Sequence, residues 1–411
     1  MNRYELHYPL TMDADTKKMM ANAYGALLRE REQGVTGYYN LPEDSRLLVE
    51  ELQKEHPFDD FDRIAVIGIG GSSLGTKAIH SFLGPKEKHL PIHFLENPDP
   101  VELRRTFAKL DKDHTLFLVV SKSGTTIETI SIFKAAIEHF DLQLRGNRHI
   151  AVITDVDSPL HKFAKEFGLK NFAIPKNVGG RFSVLSSAGI VPLTLAGFDT
   201  TKLLQGAKRM MESFFALEEE HILQKAAFIA QNWPTYRMNV LFSYADELED
   251  FNKWYVQLWG ESLGKKDRYG KNVGPTPIGH IGPVDQHSFL QLIMEGPRDK
   301  TVSFLCIEDF EESLVIPNLS LPYLEKTDFV NGATFGRLVY EECKATMRSL
   351  HSQEIPIDRI VLPTFCEEGL GELIAYYELL TSAVGAILGI DTYNQPGVEL
   401  GKKILKERFT K

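Results

Sequence analysis

The chain has 411 residues, 43% of them hydrophobic and 25% charged, the profile of a soluble globular protein long enough for two or three domains. With 46 basic against 56 acidic side chains the net charge is −10, which argues against a nucleic-acid-binding surface. Glycine (31) and proline (20) are near average usage, so collagen-like and largely disordered chains are excluded.

Residues 1–45 are polar, and the spacing of Met19, Met20, Tyr24, Leu27 and Leu28 predicts a helical amino-terminal arm. Charged residues from Arg3 to Lys18 argue against a signal sequence. Apolar, β-branched runs then alternate with helical patterns at 64–70, 92–97, 116–124, 150–155 and 171–175, predicting a first domain over 46–205. A mostly helical stretch follows to about residue 235. A second alternation (238–244, 301–308, 358–365) predicts a second domain over 206–390, and 391–411 closes the chain as a helical segment after the turn-like DTYNQPG. Near-continuous apolar strands separated by helices imply an α/β fold of doubly wound parallel sheets covered on both faces. The longest uncharged apolar stretch, 379–390, is shorter than the ~18 residues of a membrane span, so a buried helix, no membrane and a cytoplasmic location are expected. Cys306, Cys343 and Cys366, odd in number and without metal-ligand spacing, are expected to be free thiols.

Six segments carry chemistry. The loop GIGGSSLG (68–75) joins a predicted strand to a helix, where glycines let the backbone approach an anion. It is not a dinucleotide fingerprint, because Ser73 stands where the third glycine belongs, and not a P-loop, because Gly75 is followed by Thr76-Lys77. SKSGTTIE (121–128) places hydroxyls, Lys122 and a helix start together, with Thr125 and Glu128 at capping-box spacing. Both loops lie at carboxyl ends of strands, where open parallel sheets bind ligands. VGGRFSVLSSAG (178–189) holds Arg181, whose permanent planar cation suits an oxyanion. QLWGESLGK (257–265) sets Glu261 among apolar residues, DQHSF (285–289) offers His287, and YNQPGVELGK (393–402) offers Gln395 and Lys402. Taken singly, each has a plain structural alternative: a tight turn, a capped helix, an ion pair, a solvated carboxylate, a helix-start histidine, a surface lysine. No HExxH, paired CxxC or EF-hand pattern is present, so no metal or cofactor is called for.

In this order, from residue 68 to 402, the six segments together resemble the glucose-6-phosphate isomerase (phosphoglucose isomerase) family, bacterial type, over nearly the whole chain. The resemblance implies two sugar-isomerase (SIS) domains, a homodimer, a phosphosugar substrate, and aldose–ketose isomerisation of glucose 6-phosphate and fructose 6-phosphate through a cis-enediol, in glycolysis and gluconeogenesis. It places the proton-transferring carboxylate at Glu261, the ring-opening histidine at His287 with Lys402 assisting, and the charge-stabilising arginine at Arg181. The phosphate cup falls on Gly71, Ser72, Ser121, Lys122, Ser123 and Thr126, and Gln395 completes the substrate contacts. Leu263, Gly124 and Asn394 depart from residues common in relatives, and none of them is a proposed catalytic group. A phosphomannose isomerase or a non-catalytic phosphosugar sensor would share the fold, but a sensor has no use for Glu261, His287 and Lys402.

Overall fold

The computed structural model describes residues 1–55, 58, 60–84 and 89–410. Its strands in chain order are β1 (Arg3–His7), β2 (Arg63–Ile67), β3 (Ile92–Leu95), β4 (Thr115–Val120), β5 (Ile150–Asp155), β6 (Lys170–Ile174), β7 (Met238–Tyr244), β8 (Lys265–Lys266), β9 (Asn272–Val273), β10 (Thr276–Ile281), β11 (Lys300–Ile307) and β12 (Ile357–Leu362). The first sheet has the order β3-β2-β4-β5-β6 and is parallel throughout. The second has the order β1-β12-β11-β7-β10, parallel except for β1, which pairs antiparallel with β12. The pair β8-β9 is a small hairpin.

The expected α/β architecture with parallel, doubly wound sheets is what the chain adopts, for the reason the apolar runs suggest. In β2, Ile64 and Val66 face a core shared with the second sheet while Ala65 and Ile67 face an outer core. In β7 and β11, Leu241 and Leu305 face the shared core while Val240, Phe242 and Phe304 face a third cluster. Each of these three strands is buried on both sides, so it needs apolar residues without alternation.

Besides the short β8 and β9, two strands of the second sheet were not read from the sequence. In β10, Pro277 and Gly279 weaken the strand pattern, and the strand survives as the edge of its sheet beside β7. At the other edge, β1 (RYELH) is polar and only half-buried, so residues 1–45 contribute a strand as well as the helix Ala14–Glu32. The helix Glu367–Leu388 is by length and composition apolar enough to cross a membrane, but 89% of its most apolar window is buried inside the fold. Cys306 on β11 and Cys343 on the helix Phe335–Ser352 are paired as a disulfide rather than free thiols. A separation of 37 residues hides the packing of that helix on the strand. Cys366 remains a free thiol.

One buried ion pair ties the second sheet to its helices. Lys225, on the helix Glu220–Asn232, donates to Asp358 of β12 at 2.6 Å and to Ser303 of β11 at 2.9 Å, and both charged side chains are buried. Ser303 and Tyr8 also donate to Asp358, so both of its carboxylate oxygens are hydrogen-bonded. Asp358→Asn should therefore lower stability by about 3–5 kcal/mol in urea unfolding, because it strands the ammonium without its counter-charge. A loss below about 1 kcal/mol would mean that the pair is not desolvated as described.

Candidate active site

In the first sheet the connections run one way from β2 to β3 and the other way to β4, so the loops after β2 and β4 face each other at a topological switch point. The glycine loop leaves β2 through the 3-10 turn Gly70–Ser72 and enters the helix Leu74–Leu83. The second loop leaves β4 at Ser121 and enters the helix Ile127–Phe140. The expected Thr125–Glu128 capping box is not formed. The helix begins one residue later, with Thr126 at its N-cap, and the Thr126 hydroxyl is engaged with Ser121 at 2.9 Å. Thr125 is taken up by Ser123, whose Oγ lies 3.3 Å from both its N–H and its hydroxyl. Lys122 turns away from these hydroxyls, donating to Asp155 at 2.9 Å and to the carbonyl of Lys176 at 3.0 Å. Its ammonium ties β4 to β5 and to the loop after β6.

Arg181 is where distant segments meet. After β6 the chain turns through Gly180–Phe182 and sends the guanidinium inward, leaving the residue 2% exposed. Its Nε donates to Ser262 (2.7 Å) and one terminal nitrogen to Gln395 Oε1 (2.9 Å) and Glu261 Oε2 (3.4 Å). The other terminal nitrogen donates to the carbonyls of Thr392 (2.6 Å) and Asn394 (3.1 Å), so all five N–H groups are used. Burial lowers the pKa of this group and Glu261 works against that shift. Gly71 makes the join possible: a Cβ there would lie 2.3 Å from the carbonyl of Gly180, so only glycine lets the anion loop rest on the arginine loop.

Glu261 lies in the last turn of the helix Glu249–Leu263, its carboxylate 37% exposed at the wall of a cavity of about 810 Å³. Gln257, one turn earlier, donates to its Oε1 at 3.3 Å and also lies against Gly70. The glycine loop, Glu261 and Arg181 thus form one contact chain. Lys265 and Gln395 line the same cavity. A half-exposed carboxylate beside a fixed cation can take a proton from a carbon acid while the cation meets the charge that develops.

His287 and Lys402 stand apart. His287 is exposed on the turn Val284–His287, where it acts electrostatically on Glu342. Lys402 is exposed and paired with Glu399 at 2.7 Å, on a helix (Glu399–Phe409) with no buried residue. Neither lines the cavity of Glu261. Conversely, Ser262, Gln257 and Lys265 were not singled out from the sequence, although all sit in the Glu261 segment. The signal that could have found them is the small and polar composition at one helix end.

The phosphoglucose isomerase family model matches residues 50–410. A glucose-6-phosphate isomerase of Campylobacter jejuni is 44% identical over 380 residues, 92% of this chain and 93% of its own. Among solved structures, a hypothetical protein of Thermus thermophilus superimposes with a TM-score of 0.92 at 33% identity, with all of both chains covered. A glucose-6-phosphate isomerase of Chlamydia trachomatis shares the fold, with a TM-score of 0.82 and 22% identity over all of this chain and 88% of its own.

The Lys265 ammonium donates to the carbonyl and to the side-chain oxygen of Asn394, and burial followed by the nearby Arg181 lowers its pKa to about 8. The lysine is cationic below that pH and neutral above it, so its hold on Asn394 weakens as pH rises through about 8. The pH–rate profile should show an alkaline limb there, and Lys265→Arg, permanently charged, should move it upward. An unmoved limb would assign it to another group.

Proposed function

The chain belongs to the phosphoglucose isomerase family, and from that premise we propose how its residues divide the work of the reaction. It is an isomerase that interconverts glucose 6-phosphate and fructose 6-phosphate, a step of glycolysis and gluconeogenesis. The single observation that carries the assignment of roles is the Glu261–Arg181 pair, 3.4 Å apart, at the wall of a cavity.

Glu261 removes the proton at C2 of the open-chain aldose. The C–H electron pair becomes the C1–C2 double bond, and the carbonyl π pair moves onto O1. Arg181 lies where that charge develops. The same carboxylate returns the proton to C1 on the same face, while a proton passes between O1 and O2, giving the ketose through a cis-enediol. The Ser121 and Thr126 hydroxyls, with Ser123, Gly71 and Ser72, hold the phosphate, and binding energy spent there orients the reacting carbons. Lys122 serves this cup from behind, through its bonds to Asp155 and Lys176. Gln395, held by Arg181, lines the sugar side.

Ring opening precedes enolisation, because only the open chain has an acidic C–H. His287, with Lys402, performs it from a second copy of the chain in a homodimer. Three features support this arrangement: the exposure of His287 away from its own Glu261, a carboxyl-terminal helix with exposed Leu400, Ile404 and Phe409, and an apolar segment exposing Leu314, Leu319, Tyr323 and Phe329. The buried core helix and the charged surface support a soluble, cytoplasmic enzyme.

In chelator-treated protein, Glu261→Gln should bind fructose 6-phosphate normally yet lose about 10²–10⁴ in kcat, because the amide cannot take the proton. Near-normal turnover would remove Glu261 from its role. The shared site is tested by co-refolding Glu261→Gln with His287→Ala. Each homodimer should be nearly inactive, and the mixture should regain roughly a quarter of wild-type activity, since half the dimers carry one intact site of two. With His287 supplied by its own chain, every site keeps a defect and no activity returns.

A further inference from the structure

The segment 391–395 gives Arg181 three of its partners, the carbonyls of Thr392 and Asn394 and the amide of Gln395. It forms no regular helix or strand, so something else must hold it in place. On one side it is seated on the core helix. Thr392 is buried against Gly385, where a Cβ would lie 2.0 Å from its Oγ1. On the other side Tyr393 turns inward, packs edge-on against Phe182, the residue after the arginine, and reaches the amino-terminal helix.

Four hydroxyls and one carboxylate meet there. Tyr393 donates to Glu30 Oε2 at 2.5 Å and Tyr39 donates to the same oxygen at 2.8 Å. Tyr38 and Ser382 hydroxyls are 2.7 Å apart, and Ser382 lies 3.1 Å from the Tyr393 hydroxyl. A hydroxyl has one proton, so with Tyr393 donating to Glu30 the contact with Ser382 is made by Ser382 donating to Tyr393, while Tyr38 reaches both Ser382 and, at 3.4 Å, the carbonyl of Glu378. Tyr393 and Tyr39 both point their donors at the carboxylate. Burial and the neighbouring Glu30 push the Tyr393 pKa up, which keeps the phenol a neutral donor.

We propose that Glu30 and Tyr393 are positioning residues of the isomerase: anchored on the amino-terminal helix, they fix the 391–395 segment and thereby hold the Arg181 guanidinium in register with Glu261. This gives the amino-terminal helix a catalytic purpose separate from its packing. The inference rests on the reading that Arg181 meets the charge of the enediolate.

The test is steady-state kinetics with fructose 6-phosphate on Tyr393→Phe, Glu30→Gln and Arg181→Lys, singly and with each of the first two combined with Arg181→Lys. Tyr393→Phe and Glu30→Gln should each lower kcat roughly 10- to 100-fold, the size of a small misplacement at the reacting centre. KM and inhibition by inorganic phosphate should stay within about threefold, because the phosphate cup sits on the loops after β2 and β4. In the Arg181→Lys background neither substitution should add a further loss, since the group it positions is already gone. Normal kcat in both single variants, with Arg181→Lys impaired, overturns the inference and leaves the reading of Arg181 standing. Normal kcat in Arg181→Lys itself overturns that reading. Losses that multiply fully with Arg181→Lys, or that appear equally in phosphate inhibition, also overturn the inference, because general loosening would produce them. Glu30 is half-exposed on its helix, so Glu30→Gln carries the test alone where Tyr393→Phe fails to fold.

Discussion

The active site depends on keeping one guanidinium out of water with every donor satisfied. An arginine buried with idle N–H groups would cost several kcal/mol, and only complete hydrogen bonding makes its position tolerable. The acceptors for Arg181 come from residues 261–262 and 392–395, which are 80 to 214 positions away in sequence. No part of the chain can supply them alone. The site therefore exists only when the loop after β6, the end of the Glu249–Leu263 helix and the segment after the core helix have all arrived. Folding and preorganisation are the same event at this position.

The two charged partners are treated differently, and their chemistry explains why. Arg181, a permanent cation, can be buried and immobile, which suits the part proposed for it of meeting charge that appears only during the reaction. In the proposed mechanism Glu261 gains and loses a proton at carbon, and its carboxylate stays at the cavity wall, steadied by Gln257 without being sealed in. The anion loop is coupled to both, resting on Gly180 through Gly71 and on Gln257 through Gly70. In the proposed mechanism, phosphate at the switch point is thus held in fixed relation to the reacting end of the sugar.

What could be read from the sequence follows from what each residue's neighbours in sequence reveal. The buried strands were legible because burial on both faces demands unbroken apolar runs, as in LFLVV at 116–120. The edge strands of the second sheet were not: β1 needs only partial burial, and β10 carries Pro277 and Gly279. Arg181 and Glu261 stood out through motifs that resemble a known family, yet the sequence could not show that they touch. Lys122 illustrates the converse. Its place among hydroxyls suggests a phosphate ligand and gives no sign of Asp155, 33 positions later, which lies on the neighbouring strand and accepts from the ammonium. Pairings made by topology, such as Lys122 with Asp155 or Cys306 with Cys343, have no local signature.

The distribution of groups also fits the order of the chemistry. In the proposed mechanism enolisation needs Glu261 and Arg181 held within a few ångströms, and both come from one chain, locked by its buried hydrogen bonds. Ring opening needs a proton donor and acceptor that meet the sugar before the carbanion chemistry begins, and they need not share that rigid frame. The residues proposed for it lie on surfaces exposed in their own chain: His287 on an exposed turn, Lys402 on a helix with no buried residue. On this reading a single subunit holds the enolising half of the site and requires a second copy to complete it. The exposed apolar side chains near these surfaces then have a purpose, since the contact that buries them is also the contact that brings the first proton transfer to the substrate.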